Sequence, residues 1–283
     1  MSAPIKLTTE RCGKMADGLE HRFQEHGLAI DEDSDLGRRL RELRWLAQFE
    51  SIFEDAVNVD RDRAVGAFRI ASQAEHVYRA LTSSSGMGGV EYQLRRIRSA
   101  ELNAPGCGGS SALEYLFELE VGGSLRTALF ETVLEEPDIR LKLPVEFMGY
   151  SEVGLACKRP RSARGVARNL GKAANQIRAS GVPGVAIVSL DGICAREFHQ
   201  CTDQEDLSRR ADEYLGSYVL QQSAAISRAL GSGVVGVLFC CRFVSYVKNP
   251  SCWAWCLRVK AVPDPSATGA GHLLEMLRSL LLT

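Results

Sequence analysis

The chain has 283 residues, 45% of them hydrophobic and 24% charged, which suffices for one large folded domain or two modest ones. Its 34 Lys and Arg nearly balance 35 Asp and Glu, so no global field draws it to nucleic acid or to a membrane surface, and any basic site must be local. The start, Met1 to Lys6, carries no apolar signal core, and no apolar run reaches the roughly 18 residues that span a bilayer, so a soluble, cytoplasmic protein is expected.

From residue 7 to about 100 no segment reads as a strand. Leu36, Leu40, Leu43, Leu46 and Phe49 recur at helical spacing with arginines and glutamates between them. Asp33 or Ser34 is placed to cap this helix, a second is expected from Arg61 to Leu81, and the Ser- and Gly-rich residues 83–89 interrupt the pattern before a short helix over 90–99. Residues 1–102 are therefore predicted to be an all-helical region. It matches no motif, and its helices are open to a role in DNA binding, homo-oligomer formation or holding a protein partner.

Pro, Gly and Ser cluster over residues 103–111, which makes that stretch the predicted boundary. Ser110 or Ser111 can cap a following helix bearing Leu113, Leu116, Phe117 and Leu125, in which Gly122 and Gly123 should each cost about 1 kcal/mol. Residues 132–141 and 148–157 then read as strands separated by Pro144, in a hairpin-like connection. A helix over 163–179, a strand over 185–188 buried on both faces, one long helix over 204–230, strands over 234–247 and 254–262, and a terminal amphipathic helix complete the chain. This alternation predicts an α/β domain over residues 110–283.

The segment carrying chemistry runs from Glu114, on a helix, through Glu136-Pro137-Asp138 to Ala156-Cys157-Lys158-Arg159-Pro160 and Gln176. Side chains alternate across a strand, so residues 156 and 158 share a face that Leu155 and Cys157 do not. The order of these residues resembles the PD-(D/E)xK, or restriction-endonuclease-like, nuclease superfamily, over about residues 110–262. The resemblance implies a mixed sheet flanked by helices. It also implies hydrolysis of DNA phosphodiesters with Mg²⁺ (or Mn²⁺), held by Glu114 and Asp138, with Lys158 as the catalytic lysine and Gln176 contacting the site from the next helix.

Ala156 departs from that pattern, because the superfamily carries an acid there and alanine supplies neither ligand nor charge. A natural loss of activity, an inactivating substitution, and a ligand from elsewhere all account for it. Glu152 has the same parity, but four residues of strand displace it by roughly 13 Å. Glu118, one helical turn from Glu114, is the nearer substitute.

Between Val153 and Leu190 there is no Asp or Glu, whereas Lys158, Arg159, Arg161, Arg164, Arg168, Lys172 and Arg178 all fall there. Arg161, Arg164, Arg168 and Lys172 step at three- and four-residue intervals, which lines them along one helix face that can follow a phosphate backbone. A solvated helix face is the alternative origin of such a run. The leading expectation is a Mg²⁺-dependent DNA nuclease impaired by Ala156. The alternatives are a nuclease-derived nucleic-acid-binding or assembly module without chemistry, and a scaffold for protein interaction.

Other features carry less. The Gly-rich residues 106–111 lack a preceding strand and a following Lys-Ser or Lys-Thr, so they read as a linker. The five histidines and nine cysteines show no zinc spacing, and the cysteines, several of them in apolar runs such as Cys240 and Cys241, read as reduced core thiols. Asp191 before Gly192 is explained equally by a turn and by a site at a strand end.

Overall fold

The computed structural model describes residues 8–50, 55–84, 90–98, 111–126, 130–194, 200–249 and 252–282. The chain divides into two compact units, one running to Gly123 and the other starting at Ser124. The boundary expected over residues 103–111 lies, except for Ser111, outside the described residues.

The first unit is helical: α1 (Thr9–Gln24), α2 (Asp35–Leu46), the single turn α3 (Val57–Val59), α4 (Arg61–Ser83), α5 (Val90–Ile97) and α6 (Ser111–Arg126), whose last residues pass into the second unit. The caps are those short oxygen side chains provide. Thr8, Ser34 and Asp60 accept from the backbone N–H groups of Arg11, Gly37 and Arg63 and so satisfy donors at the first turns of α1, α2 and α4. Ser34, rather than Asp33, caps α2. Met15, Leu19, Phe23, Leu36, Leu43 and Leu46 are completely buried, which is what the apolar stripes of α1 and α2 require. Gly123, expected only to weaken α6, has a packing role: a Cβ there would collide with the side chain and backbone of Ser83 at the end of α4.

The second unit is an α/β domain built on a seven-stranded mixed sheet. Its strands are β1 (Glu131–Val133), β2 (Ile139–Phe147), β3 (Tyr150–Lys158), β4 (Gly184–Ser189), β5 (Gln200–Cys201), β6 (Val234–Val247) and β7 (Cys252–Pro263). β1, β2 and β3 form an antiparallel meander, β3, β4 and β6 run parallel, and β7 returns antiparallel along β6. The short β5 continues the β4 edge of β6 beyond the end of β4, pairing Cys201 with Val247.

Four helices complete the unit: α7 (Ala163–Ser180), α9 (Gln204–Gln221), α10 (Ser223–Ala229) and α11 (Ala270–Leu281), with the single turn α8 (Asp191–Cys194) between β4 and β5. Ala156, Ala186, Val237 and Phe239 from the sheet join Val166, Leu170 and Ala173 of α7 and Leu207 and Ala211 of α9 in one buried cluster. On the opposite face Gly236 lets Leu274 of α11 approach the sheet, since a Cβ there would strike that side chain. Covered on both sides, β4 is buried at every residue, as its continuous apolar run predicts.

Three sequence expectations are corrected. Pro144 does not separate the first two strands: β2 runs through it, the ladder with β3 shifts register between Lys142 and Phe147, and the reversal comes at Met148 and Gly149. Their φ values of 51° and 90° suit a two-residue hairpin turn, while the irregular ladder tolerates a residue without an N–H. The expected strand over 132–141 is instead β1 and the start of β2, with a turn between them ending at Asp138. The long helix over 204–230 is also two helices, broken at Gln222. The break lets α10 bury Ala225, Ile226 and Ala229, and Arg178 of α7 donates to the Ala229 carbonyl at 3.2 Å.

Among the described residues no helix is long and apolar enough to cross a membrane.

Candidate functional site

Asp138 immediately precedes β2, and the pairing of Ile139 with Leu155 brings it level with Ala156, beside the end of β3. Three donors converge on its carboxylate. The Lys158 ammonium lies 2.8 Å from Oδ2, the Cys157 backbone N–H donates to the same oxygen at 2.7 Å, and the Gln176 amide donates to Oδ1 at 3.2 Å. Gln176 also donates to the Pro137 carbonyl at 3.0 Å, and Lys158 to the Cys157 carbonyl at 2.9 Å. One network thus joins the start of β2, the end of β3 and the later part of α7.

Close packing fixes the approach. A Cβ on Gly154 would come within 2.9 Å of the Pro137 ring and 3.1 Å of Val182, so only glycine in β3 lets the turn before Asp138 settle against the strand. α7 is held by Ser162 at its N-cap and by Gly181, at φ 74°, at its C-cap, and the helix buries Val166, Leu170, Ala173, Ala174 and Ile177. That burial turns Gln176 toward Asp138.

Asp138 and Lys158 are nearly closed off, with side chains 13% and 14% exposed. Burial pushes the Asp138 carboxyl above its ordinary value near 3.8, against the opposing pull of the Lys158 charge and hydrogen bond, the Cys157 N–H and Gln176. The pair is internally neutralised, and both Asp138 oxygens already accept hydrogen bonds.

The residues that the C-terminal unit itself supplies do not fit the divalent cation that the nuclease resemblance implies. Mg²⁺ needs hard oxygen ligands in near-octahedral geometry. Ala156 is fully buried in the α7 cluster and offers none. Glu152 is directed to Arg140, 3.4 Å away, as is Glu135 at 3.1 Å. Glu114 and Glu118 are half-buried and belong to the N-terminal unit. Among the described residues no three His, Cys, Asp or Glu side chains are grouped to hold a metal.

The basic run forms a solvent-facing surface. Arg164, Arg168 and Lys172 are exposed on α7, away from its buried face, whereas Arg161, expected in the same helical stripe, is exposed just before the Ser162 N-cap and outside the helix; among the described residues no carboxylate pairs with any of the four. Arg159 is half-buried, and its charge acts on Asp191.

Asp191 exposes a residue the sequence reading missed. Its Oδ1 accepts from the Arg242 backbone N–H at 2.7 Å and its Oδ2 meets the Arg242 guanidinium at 2.7 Å. It occupies the gap on the β6 edge between the last β4 pairing, at Cys240, and the first β5 pairing, at Tyr246. Burial raises the Asp191 carboxyl above its ordinary range, opposed by the Arg159 charge and by hydrogen bonds from Arg242 and Ser189. The sequence signal was an arginine inside the apolar run Val234 to Val247, where a buried cation demands a partner.

No protein-family model matches the chain, and no curated protein resembles it in sequence.

Proposed function

We propose that the C-terminal unit is a nuclease-derived nucleic-acid-binding module that grips the phosphate backbone, most simply of DNA, along the exposed face of α7 without cleaving it. The observation that carries this reading is the stripe of Arg161, Arg164, Arg168 and Lys172, four exposed cations with no acidic partner among the described residues. From Arg164 to Lys172 the stripe on α7 extends roughly 12 Å, with Arg161 just ahead of the helix, enough to follow about two phosphates of one strand. Kinship with the restriction-endonuclease-like fold is supported by the order α6-β1-β2-β3-α7-β4 and by the meeting of Asp138, Lys158 and Gln176. Binding without chemistry is supported by the poor fit of Asp138, whose oxygens are already occupied, and of buried Ala156 to a divalent cation.

The test is fluorescence anisotropy with labelled double- and single-stranded DNA over a salt series. Binding should weaken steeply with salt, and replacing the four basic residues by Gln should reduce the log-log slope by roughly 3. Failure to bind at low salt rejects the reading.

The convergence of Asp138, Lys158 and Gln176 favours a second reading, a disabled nuclease. Introducing the absent acid as Ala156→Glu and assaying plasmid and single-stranded DNA with Mg²⁺ or Mn²⁺ separates the two. Cleavage gained identifies a disabled enzyme; continued inactivity with retained binding supports the module.

A further inference from the structure

The helices over one face of the sheet differ in charge. α7, α9 and α10 bury Leu170, Ala211 and Ile226 in the same cluster, so the outer faces of all three turn away from the sheet. α9 sets Glu205, Asp206, Asp212 and Glu213 against Arg209 and Arg210, an excess of acid. Neither α7 nor α10 carries an Asp or Glu, and α10 falls in a second acid-free stretch, between Glu213 and Asp264. These two helices pack together: α10 buries Ala225, Ile226 and Ala229, and Arg178 of α7 donates to the Ala229 carbonyl at 3.2 Å. Arg228, in the last turn of α10, is left exposed, and among the described residues no carboxylate pairs with it.

Packed helices set their axes about 8–10 Å apart. The α7 cations Arg164, Arg168 and Lys172 therefore form one row, and Arg228 stands to the side of it on the neighbouring helix. A DNA duplex offers two rows of phosphates, facing each other across a minor groove roughly 6 Å wide, whereas a single strand offers one. We infer that the α7–α10 face is built for double-stranded DNA: the α7 cations follow one strand, and Arg228 reaches a phosphate of the other across the minor groove. The acids of α9 repel phosphate, which confines the duplex to the two acid-free helices. The inference rests on the nucleic-acid-binding reading and adds to it the form of the ligand and a contact outside α7.

The experiment measures anisotropy of one labelled DNA sequence, as a duplex and as a single strand, with the full chain over a salt series. Wild type should bind the duplex about tenfold more tightly than the single strand at low salt. Arg228→Gln should weaken duplex binding by about tenfold at low salt and lower its log-log slope by about 1, with single-strand binding unchanged, while Arg228→Lys keeps the duplex slope. Ser227→Glu, which puts an acid on the exposed side of α10, should also weaken duplex binding. Gln204→Glu, at the exposed start of α9, makes the same change in net charge and should not. Circular dichroism checks that these surface variants are folded. Tighter binding of the single strand by wild type, an unchanged duplex slope in Arg228→Gln, equal losses on both forms of DNA, or equal effects of the two Glu variants overturns this inference; the α7 interface stands if its Gln variant still loses slope. Absence of DNA binding by wild type at low salt removes both.

Discussion

The Asp138 carboxylate and the Lys158 ammonium face each other at 2.8 Å, almost enclosed between the β2–β3 pair and α7. Each is the other's compensation for burial. Removing Lys158 alone leaves a carboxylate facing two remaining donors and no cation, so Lys158→Met should destabilise the fold by about 3 kcal/mol. Asp138→Asn, which retains shape and part of the hydrogen bonding, should cost less. The double variant should fall short of the sum, a coupling that chemical denaturation of all four proteins measures directly.

The raised Asp138 carboxyl sets a sign for the pH dependence. A group whose folded value lies above its unfolded one binds its proton more tightly when folded, so its contribution is full below the unfolded value near 3.8 and is lost as pH rises through the elevated folded value. Stability of Asp138→Asn relative to wild type should therefore increase as pH rises across that interval and then level off. Urea unfolding at a series of pH values reads this difference, and a difference that decreases with pH contradicts the assigned direction.

Gly154 offers a test that touches no charge. A methyl there meets the Pro137 ring at 2.9 Å, and relief of the clash must push away the turn that delivers Asp138. Gly154→Ala should lower stability by about 1–3 kcal/mol and reduce the Asp138–Lys158 coupling energy. Thermal unfolding and the same double-mutant cycle repeated in the Gly154→Ala background check both effects.

Asp191→Ala removes two acceptors at once, leaving the Arg242 N–H and guanidinium at 2.7 Å without the carboxylate that receives them. The loss should be about 3 kcal/mol. Hydrogen exchange at the Arg242 amide should accelerate more than at Val237, whose ladder to β4 is intact.

Strand parity and helical spacing made much of this domain legible. Alternation placed 156 and 158 on one face, the unbroken apolar run announced β4 as a central strand, and the three- and four-residue steps of the arginines located the exposed face of α7. What escaped was set by tertiary contact. Pro144 looked like a separator because its missing N–H is a local signal, but the register irregularity that accommodates it in β2 depends on the β3 partner. Gln222 breaks α9 from α10 without Gly or Pro, through the packing of α10 on α7. Gly123 reads as a weak point in a one-dimensional string, whereas it makes room for Ser83, as Gly154 does for Pro137. Arg242 was visible only as an oddity in an apolar strand until Asp191 was placed beside it.

The most direct test is the salt dependence of DNA binding by wild type and by the variant carrying Gln at positions 161, 164, 168 and 172. A steep wild-type slope that falls by roughly 3 in the variant, with both proteins equally folded, is the expected result. Equal slopes for the two proteins, or no wild-type binding at low salt, contradict the account.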